Sequence, residues 1–158
     1  VWNDECEYAM YVEQGRIYEG TTEFATGTDI NNCTVNDALD IWFRFVPKIT
    51  GSYTVSLLGS GFDTSLTVYE GCGGTELACN DDYGGATQSQ IDSLALNSGQ
   101  DYLIRIAGYN STWGPYRLQI TGPTCVQAMA GDSNDDCVID LKDLQSFASQ
   151  WLQNNIRP

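Results

Sequence analysis

Between about residue 16 and residue 122, apolar and polar residues alternate in short runs broken by Gly, Asn, Asp and Ser. In IWFRFV, Ile41, Phe43 and Phe45 share one face while Trp42, Arg44 and Val46 share the other. SYTVSL sets Tyr53, Val55 and Leu57 against polar partners, and SLTVYE does the same with Leu66 and Val68. YLIRIA repeats the pattern with Tyr102, Ile104 and Ile106, and YRLQI with Tyr116, Leu118 and Ile120. A period of two with turn formers between the runs predicts antiparallel strands that each bury one face. A succession of such strands predicts a mainly β chain folded as a sandwich or barrel.

At Gly122–Cys125 the pattern changes. A Gly-Pro break and a short linker lead to LKDLQSFASQWLQ, which places Leu141, Leu144, Phe147, Ala148, Trp151 and Leu152 on one helical face. The chain therefore divides into a sandwich over residues 1–122 and a tail over residues 123–158. A lone helix of this length is marginal in water, so its apolar stripe is expected to dock on the sandwich or on another molecule. The linker GPTCVQAMAG is long enough to project it toward a neighbouring copy.

Between linker and helix, five Asp fall within residues 132–143. Asp132, Asn134, Asp136, Asp140 and Asp143 take positions 1, 3, 5, 9 and 12 of a twelve-residue EF-hand-type frame, and Val138 at position 7 offers its carbonyl. Hard oxygen ligands at alternate positions suit Ca²⁺, and the acid at position 12 closes the shell from the incoming helix. The competing reading is a solvated acidic turn in which Asp140 caps the helix. Two positions depart from the usual pattern: Cys137 stands where a sharp turn at positive φ favours Gly, and position 12 is Asp instead of Glu. A crosslink from Cys125 would hold that turn covalently. The stretch GDSNDDCVIDLKDLQSFASQWL, Gly131 to Leu152, resembles one half of a dockerin type I repeat, whose loops end in Asp before a short apolar-faced helix.

Charge narrows the partners. With 21 acidic and 7 basic residues the net charge is −14. That excludes nucleic acid, which needs clustered Lys and Arg, and disfavours anionic membrane surfaces. No run reaches the roughly 20 apolar residues of a membrane span. Six cysteines, an even number, point to disulfides and an oxidising compartment. With them, a start at Val1 lacking any targeting segment is expected of a secreted chain whose signal peptide has been removed. Proximity along the chain favours the pairs Cys6–Cys33, Cys72–Cys79 and Cys125–Cys137 among the 15 possible connectivities.

The blocks NDECEYA, DIWFRFVP, TGSYTVSLLGSGFDTSLTVYEGCGG, ELACNDDYGG, LNSGQDYLIRIAGYN and GPYRLQI, spanning roughly residues 3–121, resemble a bacterial pre-peptidase C-terminal domain. The resemblance implies a jelly-roll-like antiparallel β-sandwich appended to secreted enzymes or surface proteins. It implies fold and location more firmly than activity. The chain has no His, so Ser-His-Asp and Cys-His catalysis are excluded, and no Gly-rich phosphate cradle precedes a helix. The expectation is no enzyme.

Three further groups are candidates. Asp63 with Asn80, Asp81 and Asp82 could gather around a second Ca²⁺, although Asn and Asp in loops commonly bond their own backbone. Trp42, Tyr83, Tyr109 and Trp113 are candidates for a sugar-stacking platform, with Tyr109 and Trp113 the two best placed to face solvent. Asn32 and Asn110 head N-C-T and N-S-T glycosylation sequons. Together these readings describe a secreted, calcium-binding, non-catalytic structural or assembly module at the bacterial cell surface, self-assembling into filaments or binding a protein partner through its tail helix. The alternative is a carbohydrate- or matrix-binding accessory module of a larger secreted hydrolase, with polysaccharide as its ligand.

Overall fold

Alternation becomes layering once the strands pair. The computed structural model describes residues 1–27, 31–34, 36–125 and 131–155. Within these lie β1 (Met10–Val12), β2 (Ile17–Thr21), β3 (Ile41–Phe45), β4 (Gly51–Ser56), β5 (Thr64–Tyr69), β6 (Glu76–Asn80), β7 (Gln90–Leu96), β8 (Tyr102–Gly108), β9 (Pro115–Thr121) and the helix α1 (Leu141–Asn155). One sheet has the order β1-β3-β8-β5-β6 and the other β2-β9-β4-β7. Apart from the β5–β6 hairpin, consecutive strands alternate between the sheets, which gives the jelly-roll-like sandwich.

The inner faces carry the residues that the alternation places there. Phe43, Phe45, Tyr53, Val55, Leu66, Val68, Ile104, Ile106, Leu118 and Ile120 are all buried in one core. Phe43 meets Tyr116 edge-on at 5.5 Å and Phe45 meets Tyr53 edge-on at 5.4 Å, the tilted geometry that ring quadrupoles favour. One pair departs from the antiparallel expectation, because β1 runs parallel to β3. Between them in sequence β2 lies in the opposite sheet, and this crossover supplies the long connection that a parallel pair requires.

The outer face of the five-stranded sheet is also covered. Register places Trp42, Arg105, Thr67 and Cys79 in one row across β3, β8, β5 and β6. Trp42 is buried with Tyr69 and Leu103 beneath Cys6 and Ala9 of the N-terminal segment. Trp42 is therefore core, and its place in an exposed aromatic platform is corrected. Arg105, wholly buried, is clasped by the carboxylates of Asp37 and Asp40.

Two disulfides fasten this cover, and they correct the pairing expected from chain proximity. Cys6 bonds Cys72 and Cys33 bonds Cys79, while Cys125 bonds Cys137. The reason lies in the β5–β6 hairpin. Glu70 N–H donates to Thr75 O, so Cys72 stands at the hairpin tip. Cys79 stands opposite Thr67, well down the ladder, too far along for the two to meet. Each instead reaches a segment lying over the outer face.

The tail follows the sandwich through residues 126–130, which lie outside the described residues. Leu141, Leu144, Phe147, Trp151 and Leu152 are 48–82% exposed. The apolar stripe of α1 therefore does not dock on its own sandwich. An exposed ion pair, Lys48 Nζ to Asp135 Oδ2 at 3.4 Å, links the tail loop to the sandwich.

Candidate metal centres and aromatic loop

The tail loop turns its oxygens inward. Asp132 Oδ1 accepts the Asp136 N–H at 3.2 Å and Asp132 Oδ2 accepts the Cys137 N–H at 3.0 Å. Asn134 Oδ1 also accepts the Asp136 N–H at 3.0 Å, and Asp136 Oδ1 accepts the Val138 N–H at 3.0 Å. Cys137 sits at φ 66°, the left-handed turn that position 6 demands. Asp143 closes the loop: it accepts N–H groups from Ser133 at 2.7 Å, Asn134 at 3.4 Å and Asp140 at 2.7 Å. Those N–H groups, Asp140's first, hold the Asp143 carboxyl below its usual range.

Asp140 has a second task. Its Oδ1 accepts the Lys142 N–H at 2.7 Å, while Asp143 returns to the Asp140 N–H. Asp140 thus acts as the N-cap of α1, with Asp143 satisfying its N–H in turn. The capping and calcium readings of Asp140 are therefore compatible. The donor set of the loop is all oxygen, the type that Ca²⁺ takes.

A second acidic group lies at one end of the sandwich. The antiparallel register that sets Leu66 opposite Asn80 carries the start of β5 to the end of β6. Side-chain oxygens of Asp63, Asp81 and Asp82 consequently fall within 4.8 Å of one another. Asp63 Oδ1 and Asp81 Oδ1 are buried without a hydrogen-bond partner. Burial, reinforced by Asp82, raises the Asp63 carboxyl above its ordinary range, and burial with Asp82 and Asp63 does the same to Asp81. Asn80 does not join them. Its Nδ2 donates to Asp82 O at 3.1 Å and its Oδ1 accepts the Gln90 N–H at 2.9 Å, which is turn chemistry.

The same end carries the aromatic loop. Asp63 O accepts the Tyr109 N–H at 3.1 Å and the Thr112 hydroxyl at 3.0 Å. A Cβ on Gly108 would lie 1.8 Å from Thr112 O, so only Gly lets this loop fold back. Trp113 is 53% exposed and Tyr109 is 37% exposed. Tyr83 instead donates to Asp92 Oδ2 at 2.5 Å. Both sequon residues, Asn32 and Asn110, are exposed, and Asn32 Nδ2 donates to Glu76 Oε2 at 3.1 Å.

Some of this lay beyond the sequence pattern. Phe24, 83% exposed at φ 67°, stands beside the aromatic loop, where Thr22 N–H donates to Gly114 O at 3.1 Å. Nothing in the run TTEFATG marks it. The partners of Arg105 lie 65 and 68 residues away along the chain, a distance that only the folded register bridges.

No curated protein matches the chain. Among solved structures, it is similar to the pre-peptidase C-terminal domain of collagenase from Bacillus anthracis, with 12% identity and a TM-score of 0.47 over 72% of this chain and 94% of that one. It is also similar to PliG, a periplasmic lysozyme inhibitor of g-type lysozyme from Aeromonas hydrophila, with 21% identity and a TM-score of 0.48 over 73% of this chain and 96% of that one. A family model described as Galactose binding domain-like matches residues 2–120. Domains of this class are typically non-catalytic accessory modules, and three disulfides suit a secreted protein. Among the described residues no helix is long and apolar enough to cross a membrane. By the match over residues 2–120, the chain belongs to the Galactose binding domain-like family.

Proposed function

We propose that this chain is a non-catalytic accessory module of a secreted protein whose tail, residues 123–158, binds one Ca²⁺ and presents α1 to a protein partner. The observation that carries this reading is the inward-turned oxygen set of Asp132, Asn134, Asp136 and Asp143 around a turn at positive φ. Val138 O and Asp140 complete the proposed ligand set. Cation binding would offset the mutual repulsion of these carboxylates and order the loop, and with it the first turn of α1. Calorimetric titration of the full chain with Ca²⁺ tests this: a binding event present in the wild type should vanish in Asp132→Ala. An unchanged titration in that variant, or no event in either, overturns the reading.

Asp63, Asp81 and Asp82 form a second candidate cation position, supported by their crowding and by the buried oxygens that lack partners. Loss of a separate, Asp132-independent calorimetric event in Asp81→Asn would establish it. A second reading, binding of polysaccharide, draws on the exposed rings of Trp113, Tyr109 and Phe24. Retention on insoluble polysaccharide that disappears in Trp113→Ala would favour it over the protein-partner reading.

A further inference from the structure

The sixth position of the tail loop needs a left-handed backbone, and Gly adopts it without steric cost whereas an L residue resists it. Cys137 holds φ 66° there. That conformation has a direct consequence for the loop's first proposed ligand, because it aims the Cys137 N–H at Asp132 Oδ2, 3.0 Å away. Were Cys137 to relax toward ordinary dihedrals, Asp132 would lose this anchor.

What resists relaxation is covalent. Cys137 is bonded to Cys125, twelve residues earlier, and Cys125 Sγ lies 3.9 Å from both Asp132 Oδ2 and Asp135 O. The bond packs against the turn it constrains. Cys125 and Cys137 are both half-buried, so neither sulfur is sealed from a thiol in solution.

Resting on the reading of this loop as a calcium site, we infer that the Cys125–Cys137 disulfide takes the place of the loop's missing Gly and makes its calcium affinity dependent on redox state. The reductant is a dithiol. One of its thiolates attacks Cys125 Sγ, the S–S bond breaks, and Cys137 leaves as a thiolate and takes a proton. The second thiol of the reductant then displaces Cys125, leaving two cysteine thiols and one oxidised dithiol. In the reduced chain, Cys137 is an ordinary L residue in a conformation it disfavours. The open loop then loses the contact to Asp132.

The test uses full-length variants in which the disulfides of the sandwich are untouched, with melting of the sandwich as the check on folding. Calcium titration compares the wild type, Cys125→Ser/Cys137→Ser and Cys125→Ser/Cys137→Gly, with Asp132→Ala identifying the event. The Ser/Ser variant should bind about tenfold more weakly, in line with the usual strain of a non-Gly residue at positive φ. The Ser/Gly variant should return to within about threefold of the wild type, because Gly restores the turn without the bond. Equal affinity in all three overturns the inference, and so does equal weakening of both double variants, since the bond would then act as a tether and not as a turn. A wild-type chain with no Asp132-dependent event overturns the calcium reading as well. An event that is present but insensitive to either double substitution overturns only the inference.

Discussion

Arg105 donates from Nη2 to the Asp37 carbonyl oxygen at 2.7 Å, with its guanidinium wholly removed from solvent. The same fork binds the carboxylates of Asp37 and Asp40, so one cation serves two buried anions. Asp37 lies on the chain segment that covers the outer face, and Arg105 lies in the middle of β8. The pairing therefore fixes where the cover sits.

Removing the cation alone would strand two buried carboxylates. Arg105→Met should cost about 3–5 kcal/mol, the usual penalty for breaking a buried ion pair from one side. Arg105→Lys should rescue little, since an ammonium cannot reproduce the planar fork. Adding Asp37→Asn and Asp40→Asn to Arg105→Met should recover part of the loss. Urea midpoints of the three variants decide it, and a stability for Arg105→Met within 1 kcal/mol of the wild type would contradict the buried network.

Period two was legible wherever one face of a strand meets the core and the next residues meet solvent, as in β4 and β9. It was less informative in β8, where every residue is buried because the segments around Cys6 and Cys33 cover the second face. β7 escaped notice for a different reason. Tyr53 pairs with Leu94 and Val55 with Ile91, so Asp92 and Ser93 together oppose Thr54. That bulge breaks the alternation of Ile91, Leu94 and Leu96. β1 and β2 are edge strands whose residues are largely exposed, and they carry almost no pattern. In the tail, the turn at Cys137 and the cap at Asp140 follow from local spacing, whereas the crowding of Asp63 with Asp81 depends on β5–β6 pairing.

The two outer-face disulfides close loops with sequence separations of 66 and 46 residues. Loop-closure entropy gives each about 4 kcal/mol of stabilisation. Cys6→Ala/Cys72→Ala and Cys33→Ala/Cys79→Ala should each lower stability by an amount of that order. Non-reducing peptide mapping should recover Cys6 with Cys72 and Cys33 with Cys79. Recovery of Cys72 with Cys79 in one peptide pair would mean that the hairpin tip is folded differently.

Asp63 and Asp81 have carboxyls raised above the usual range by burial first and by neighbouring acids second. Their ionised forms therefore destabilise the metal-free fold. That cost is fully present above the raised pKa values and fades as pH falls toward the ordinary carboxylate value of about 3.9. In chelator, Asp81→Asn should be more stable than the wild type at pH 7, with the difference shrinking as the solution is acidified. A difference that grows on acidification would reverse the sign and rule out repulsion at this end. Asp143 behaves oppositely. Its carboxyl is lowered by the N–H groups of Asp140, Ser133 and Asn134, so its contribution to the tail is lost as pH falls.

The apolar face of α1 leads to the last prediction. Leu141, Leu144, Phe147, Trp151 and Leu152 are all exposed, and each contributes roughly 1.5–3 kcal/mol when fully buried. Five such side chains can drive association if the opposing charge is managed. That charge is −14 per chain, so two copies repel at low salt, and the repulsion is screened beyond about 10 Å at 0.1 M ionic strength. Self-association through α1 should therefore strengthen as salt rises, and strengthen further with Ca²⁺ if the ion orders the tail loop. Sedimentation of the full chain across a salt series, with and without Ca²⁺, measures this directly. Phe147→Glu/Trp151→Glu should stay monomeric under all conditions while its sandwich melts as in the wild type. A chain ending at Thr124 keeps the Gln14 Nε2 bonds to Gly122 O and Pro123 O, and it should fold and remain monomeric too. If the full chain and both variants are monodisperse monomers throughout the series, copies of this chain do not cover the helix, and a different protein must.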